Sequence, residues 1–212
     1  MKKIMFNDKY GLTDAVLTGR KTQTRRIITT DVYNLIDFKA YFEGEQECAG
    51  EFDCGWVDWR YVMPYQLNEE VAVAMCYEEA LATSDINVDK WIEMVEKAHG
   101  GTDYSLLPAA DNKMFVKTAL MPCRIKMTDM WMHRLQDISD EDCLAEGVEK
   151  WLDCYIVSGI MERYQQHNRC FDTPREAYAA LIDKVSGKGT WAENPMVVAY
   201  KFEVSRKDFS DV

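Results

Sequence analysis

Short strand-like runs alternate with lone helical stretches along this chain, and a strand closes it; that order constrains the fold more than any other feature. Lys2 to Phe6 reads as a strand, and Asp8 to Thr18 as a helix with Leu12, Ala15 and Val16 on one stripe and Gly19 as its stop. Val71 to Cys76 is a second strand. Asn87 to Ala98 is a helix with Trp91, Met94 and Val95 on one side, ended by Gly100-Gly101. Met114 to Lys117 and Arg124 to Arg134 read as strands, and strict alternation puts Ile125, Met127, Asp129, Trp131 and His133 on one face. Ser139-Asp140-Glu141-Asp142 is an N-cap signature opening a short helix to Glu146. Thr173-Pro174-Arg175-Glu176 opens a stronger one, which runs to Val185 and stops at Gly187. Pro195 introduces the last strand, Met196 to Val204. Residues 31–63 read as irregular and aromatic-rich, and residues 148–170 as a helical insertion. With no repeat and no low-complexity linker, the order predicts one α+β domain over residues 1–212. Its expected form is a small mixed β-barrel of about five to six strands with flanking helices and helical insertions near 31–63, 78–112 and 148–170.

Composition narrows the function classes. The chain of 212 residues is 47% hydrophobic and 29% charged, an ordinary globular mix that excludes disorder, collagen and coiled coil. A domain of this length hides about 70% of its unfolded surface, so it needs no staples. No window approaches the ~18 uninterrupted apolar residues of a membrane span. The start, Met1-Lys2-Lys3-Ile4-Met5-Phe6-Asn7-Asp8, has too few apolar residues to direct export, which predicts a cytoplasmic protein that does not partner a membrane. The net charge is −11, which repels long duplex DNA on average and leaves room only for a local basic site. Seven cysteines (48, 54, 76, 123, 143, 154, 170) without a CxxC pair read as reduced thiols serving as small hydrophobes. Cys48 and Cys54 are too far apart for a zinc pair, and the three histidines (99, 133, 167) are scattered, so neither a structural metal nor a catalytic histidine is expected.

The chemistry concentrates in Gly19-Arg20-Lys21-Thr22-Gln23-Thr24-Arg25-Arg26. No acidic residue occurs between positions 15 and 30 of an otherwise acidic chain. Such a cation site focuses an anionic or electron-rich ligand, although a cation run can equally be a solvated turn. In an extended segment Lys21, Gln23 and Arg25 face one way and Thr22, Thr24 and Arg26 the other. Burial or the neighbouring Arg20, Arg25 and Arg26 would lower the Lys21 pKa, letting its amine take the proton of the Thr24 hydroxyl, a poor nucleophile unaided. Glu146, at the C-terminal end of its short helix, could orient that lysine or shuttle the proton. Trp56, Trp59, Tyr61 and Tyr65 either stack a base or pack in the core. Gly187-Lys188-Gly189-Thr190-Trp191 lacks the order of a phosphate loop and reads as a C-cap turn with a buried Trp191.

The octapeptide after its short helix resembles the GRKTxTxR hallmark of the ASCH domain family, whose fold is the PUA-like β-barrel. Arg134-Leu135-Gln136-Asp137-Ile138-Ser139 followed by Glu146-Gly147-Val148 is similar to that family's "LQDIT…AEGI" stretch. Gly187-Lys188-Gly189-Thr190-Trp191, Asn194-Pro195 and Tyr200-Lys201-Phe202-Glu203-Val204 resemble the ending of its longer phage and prophage members. The matches touch about half the chain in the expected order. The resemblance implies a pocket for a nucleobase, nucleoside or short RNA, with Arg20, Thr22, Arg25 and Arg26 as ligand-binding residues. One branch deacetylates N4-acetylcytidine without metal or cofactor. Carried over by motif, its lysine, second threonine and glutamate fall on Lys21 (base), Thr24 (nucleophile) and Glu146 (positioning or protonating). The family's glycine-aspartate strand followed by "VRETW" is replaced here by Asn68-Glu69-Glu70-Val71-Ala72-Val73-Ala74-Met75-Cys76-Tyr77, which implies a different ligand or chemistry. A phage-derived interaction protein without catalysis, meeting a partner through an acidic face, is the remaining alternative.

Overall fold

The computed structural model describes residues 1–52, 55–160, 170–207 and 209. Its strands are β1 (Lys3–Ile4), β2 (Gln23–Ile27), β3 (Ala49–Phe52), β4 (Gly55–Val57), β5 (Glu70–Val73), β6 (Cys123–Arg134), β7 (Glu149–Trp151), β8 (Cys154–Ile156) and β9 (Met196–Arg206). Its helices are α1 (Leu12–Leu17), α2 (Thr30–Tyr33), α3 (Phe38–Phe42), α4 (Tyr77–Ala82), α5 (Val88–Ala98), α6 (Asp140–Ala145), α7 (Pro174–Val185) and α8 (Thr190–Glu193). Five strands form one mixed sheet in the order β1-β5-β6-β9-β2, antiparallel except for the parallel pair β1–β5. The long pair β6–β9, matched from Cys123↔Arg206 to Arg134↔Met196, is its spine. The α+β class is as the sequence predicts. Among the described residues no ladder joins the two edge strands β1 and β2.

Local chemistry explains the helices that place the site. Ser139 caps α6 by accepting from the Asp142 N–H at 3.1 Å. Thr173 caps α7 the same way through the Glu176 N–H at 3.2 Å, with Pro174 in the first turn, where a missing N–H costs nothing. The buried face of α7, Ala177, Tyr178, Leu181 and Ile182, follows helical spacing and joins the core. After α7, Gly189 and Trp191 donate to the Asp183 carboxylate, and the short α8 replaces the predicted simple turn, with Trp191 only partly buried. No helix among the described residues is long and apolar enough to cross a membrane.

Several expectations need correction. Met114 to Lys117 is not a strand: Lys113–Phe115 is a 3-10 turn whose Met114 N–H is taken by the Asn112 side chain, and Met114 and Phe115 stand exposed. Alternation along β6 holds only to Met127. A bulge between Met127 and Asp129 shifts the register, so Met130 and Met132 are buried in place of Asp129, Trp131 and His133. Residues 31–63 are more regular than predicted, with α2, α3, the hairpin β3–β4 and a 3-10 turn at Trp59–Val62. The insertion over 148–170 is not helical where it is described. Glu149–Trp151 and Cys154–Ile156 pair as a hairpin, Leu152 in its loop takes φ 53°, and Tyr155 bridges to Phe171; aromatic and β-branched residues suit such a ladder. Residues 161–169, including His167, lie outside the described residues. Cys154 and Cys170 form a disulfide across a Cα–Cα distance of 5.8 Å, so the reading of seven free thiols fails there. Cys48, Cys76, Cys123 and Cys143 are free and buried, while Cys54 lies outside the described residues.

Candidate functional site

The basic segment is stitched between three elements. Gly19, at φ 75°, ends α1; the Lys21 N–H then donates to the Ala15 carbonyl at 2.8 Å, and the Thr22 N–H to Ala145 at the end of α6 at 2.9 Å. From Gln23 onward the chain pairs with β9. Half of the predicted alternation is seen: Lys21, Gln23 and Arg25 all turn toward the carboxylates of Asp142 on α6 and Glu146 just after it, but Thr24 and Arg26, expected on the opposite side, line the same cleft as Lys21 and Arg25. Lys21 Nζ donates to Glu146 Oε2 at 2.5 Å and to the Glu146 carbonyl at 2.8 Å. Arg25 spreads its fork over Glu146 Oε1 (3.1 Å) and Asp142 Oδ2 (2.7 Å), and Gln23 donates to Asp142 Oδ1 at 2.8 Å. Gly147, at φ 108°, closes the turn behind Glu146. A Cβ there would stand 3.2 Å from the Leu12 side chain and 3.8 Å from Lys21 Cδ, so a bare backbone lets the turn lie against the lysine.

This network is buried. Lys21 is 2% exposed and Glu146 4%. Burial lowers the Lys21 pKa; the Glu146 charge and hydrogen bond oppose that, while Arg26 and Arg25 add to it. Each ionic group has a partner, the condition under which buried charge is tolerated.

A cleft of about 600 Å³ opens on this network. Lys21, Thr24, Arg25, Arg26 and Glu146 line it, so all three predicted catalytic residues and two of the four predicted ligand-binding residues share one cavity. Arg20 and Thr22 do not line it. Arg20 is tied to Asp14 and Glu149 at 3.0 Å each, and Thr22 is pinned through its backbone. The candidate stacking aromatics are elsewhere too: Trp59 packs edge-on to Tyr41 in the core, Tyr65 against Tyr200, while Trp56 and Tyr61 are exposed.

Sequence reading missed other members. Phe6 and Tyr178 line the cleft. Tyr178 is 1% exposed, its hydroxyl makes no hydrogen bond among the described residues, and burial holds its pKa well above 10. Its only sequence signal is an apolar stripe on α7, which any core tyrosine gives. His133, expected to have no role, accepts from Arg25 Nε at 3.1 Å. Burial first, then Arg25, lowers the His133 pKa. A histidine kept neutral by the fold binds its proton more readily unfolded, so its contribution is full above pH 6.5 and is lost as pH falls toward the folded value. Wild-type thermal stability should therefore fall between pH 7 and pH 5 more steeply than that of His133→Gln, as followed by circular dichroism; equal slopes would rule this out. Among the described residues no three His, Cys, Asp or Glu side chains group as metal ligands.

No family model matches the chain, and neither a curated protein nor a solved structure matches it.

Proposed function

We propose that the cleft binds a nucleobase and hydrolyses an amide on it, with an N4-acylated cytidine as the substrate class, in a PUA-like chain similar to the ASCH family. One observation carries this reading: a buried lysine amine, hydrogen-bonded to the Glu146 carboxylate, opens with Thr24 onto a single cleft. In the PUA-like reading the sheet edges are drawn together by Arg26 Nη2, which donates to the Met5 carbonyl at 3.0 Å across from β2 to the end of β1.

The chemistry follows from the groups present. In its neutral form the Lys21 amine takes the Thr24 proton as Thr24 Oγ1 bonds to the amide carbon. The C–N bond then breaks, and the leaving cytosine amine takes that proton from the Lys21 ammonium. Water, deprotonated again by Lys21, adds to the threonine ester carbon; as that ester C–O bond breaks, Thr24 Oγ1 takes the proton back from the Lys21 ammonium, and acetic acid leaves as acetate and a solvent proton. Glu146 holds the amine in place throughout. Tyr178, a neutral donor without a partner, is suited to the carbonyl oxygen as it gains charge. A binding-only site is the second reading, favoured by the 2.5 Å Lys21–Glu146 contact, whose charge and hydrogen bond favour the ammonium against the effect of burial.

The test is hydrolysis of N4-acetylcytidine by the purified chain, followed by ultraviolet absorbance. Turnover supports the hydrolase; its absence, with cytidine still bound, leaves the binding reading. Removing one oxyanion donor costs about 10²–10³ in kcat, so Tyr178→Phe should lose about a hundredfold in kcat with its melting curve retained. A kcat within about twofold of wild type would remove Tyr178 from the mechanism.

A further inference from the structure

We propose that the outer part of the cleft is a phosphate subsite, so that the ligand is a nucleotide, free or within an RNA strand, rather than a free nucleoside. The inference rests on the nucleobase reading above. It comes from where the charges are compensated. Lys9, Lys21, Arg25, Arg26 and Lys113 line the cleft, against two carboxylates, Asp8 and Glu146. The inner cations are matched: Glu146 takes Lys21 and one arm of Arg25, and Asp142 takes the other arm.

The outer cations are matched only in part: Lys113 has Asp8, whereas Arg26 and Lys9 form no ion pair among the described residues. Arg26 forms no ion pair among the described residues; it rests on the Met5 carbonyl with its guanidinium 6.0 Å from the Phe6 ring centre. Lys113 reaches in from the distant 3-10 turn to the next carbonyl, that of Phe6, and pairs with Asp8 at 2.5 Å. Two cations that line the cleft are thus anchored on the backbone of neighbouring residues, Met5 and Phe6. Asp8 is the one carboxylate there, and it also accepts from the Thr13 hydroxyl. With Lys9 beside them, the outer part holds a positive surplus inside a chain of net charge −11.

A neutral nucleoside uses none of that surplus. A phosphate matches it, because the Arg26 fork can hold two phosphate oxygens while the Lys113 and Lys9 ammoniums supply point charges. The Phe6 ring links the two regions, with Lys21 Nζ 5.7 Å from its centre on the catalytic side. A base beside Lys21 would send its phosphate past Phe6 toward Arg26. The cleft's volume is within the roughly 300–1,000 Å³ that small ligands occupy, so one nucleotide fits.

Calorimetric titration with CMP, cytidine, inorganic phosphate and a cytidine-containing RNA pentamer tests this without relying on turnover. CMP should bind at least about tenfold tighter than cytidine, with an advantage that shrinks as salt rises. Arg26→Gln should abolish that advantage and Lys113→Met should reduce it, each checked for folding by its melting curve. A pentamer no tighter than CMP identifies a free nucleotide; a much tighter pentamer identifies the phosphate as part of a strand. Equal affinities for CMP and cytidine, or no binding by any probe, overturn the subsite. The two readings fail separately. Hydrolysis of N4-acetylcytidine without a CMP preference sinks only the subsite, whereas Arg26-dependent CMP binding without hydrolysis sinks only the hydrolase.

Discussion

Arg25→Met should unfold roughly 6–20 °C below the wild type. The Arg25 side chain is fully buried and bridges Glu146, Asp142 and His133, with Gln23 alongside. Taking one partner from a buried ion pair costs about 3–5 kcal/mol, because the abandoned carboxylates stay desolvated. In a chain of this length each kcal/mol moves the melting point by about 2–4 °C. Arg25→Lys should recover little, since one ammonium cannot span two carboxylates and a ring nitrogen. Thermal melts of both variants give the answer, and a loss under about 3 °C would mean that the network does not hold the α6 end to β2.

Lys21→Ala should cut N4-acetylcytidine turnover by about 10²–10⁴, the usual contribution of a positioned acid–base group. If the proposed hydrolysis works through the neutral amine, wild-type turnover should rise with pH through the lowered pKa of Lys21. Stability carries the same signature. The fold gives up the Lys21 proton at a lower pH than the unfolded chain does, so between the folded value and 10.5 the unfolded chain binds more protons. Below that window the cost of holding a buried ammonium is felt in full; across it, raising pH favours the fold. The melting temperature of wild type relative to Lys21→Ala should therefore climb from neutral pH toward 10.5. A flat difference, or turnover retained in the variant, would contradict the role given to Lys21.

What could be read from the sequence was what local chemistry decides. The caps at Ser139 and Thr173, the stop at Gly19 and the closing strand all depend on a few adjacent residues, and all are present. The cation segment was legible for the same reason, since two-residue alternation put Lys21, Gln23 and Arg25 on one side. The residues raised the pairing of Lys21 with Glu146 only as an option, and resemblance gave it a role, because 125 positions separate them and no spacing rule reaches that far. Tyr178, His133 and Lys113 were invisible as site residues for that reason too. The hairpin at Glu149–Ile156 was misread because its strands are three residues each, too short for any period to show.

The bulge in β6 has a consequence for how this chain tolerates change. With Thr128 as the extra residue, inward positions are odd-numbered up to Met127 and even-numbered from Met130. Deleting Thr128 would join the two phases, driving Asp129, Trp131 and His133 inward and Met130 and Met132 out into water, or else breaking the ladder to β9. A saturation scan along Cys123–Arg134 should show charge tolerated at even positions before the bulge and at odd positions after it, except at His133, which accepts from the buried Arg25. The molecule thus carries a reversal of parity inside one strand, and any transplanted or redesigned segment must keep that count.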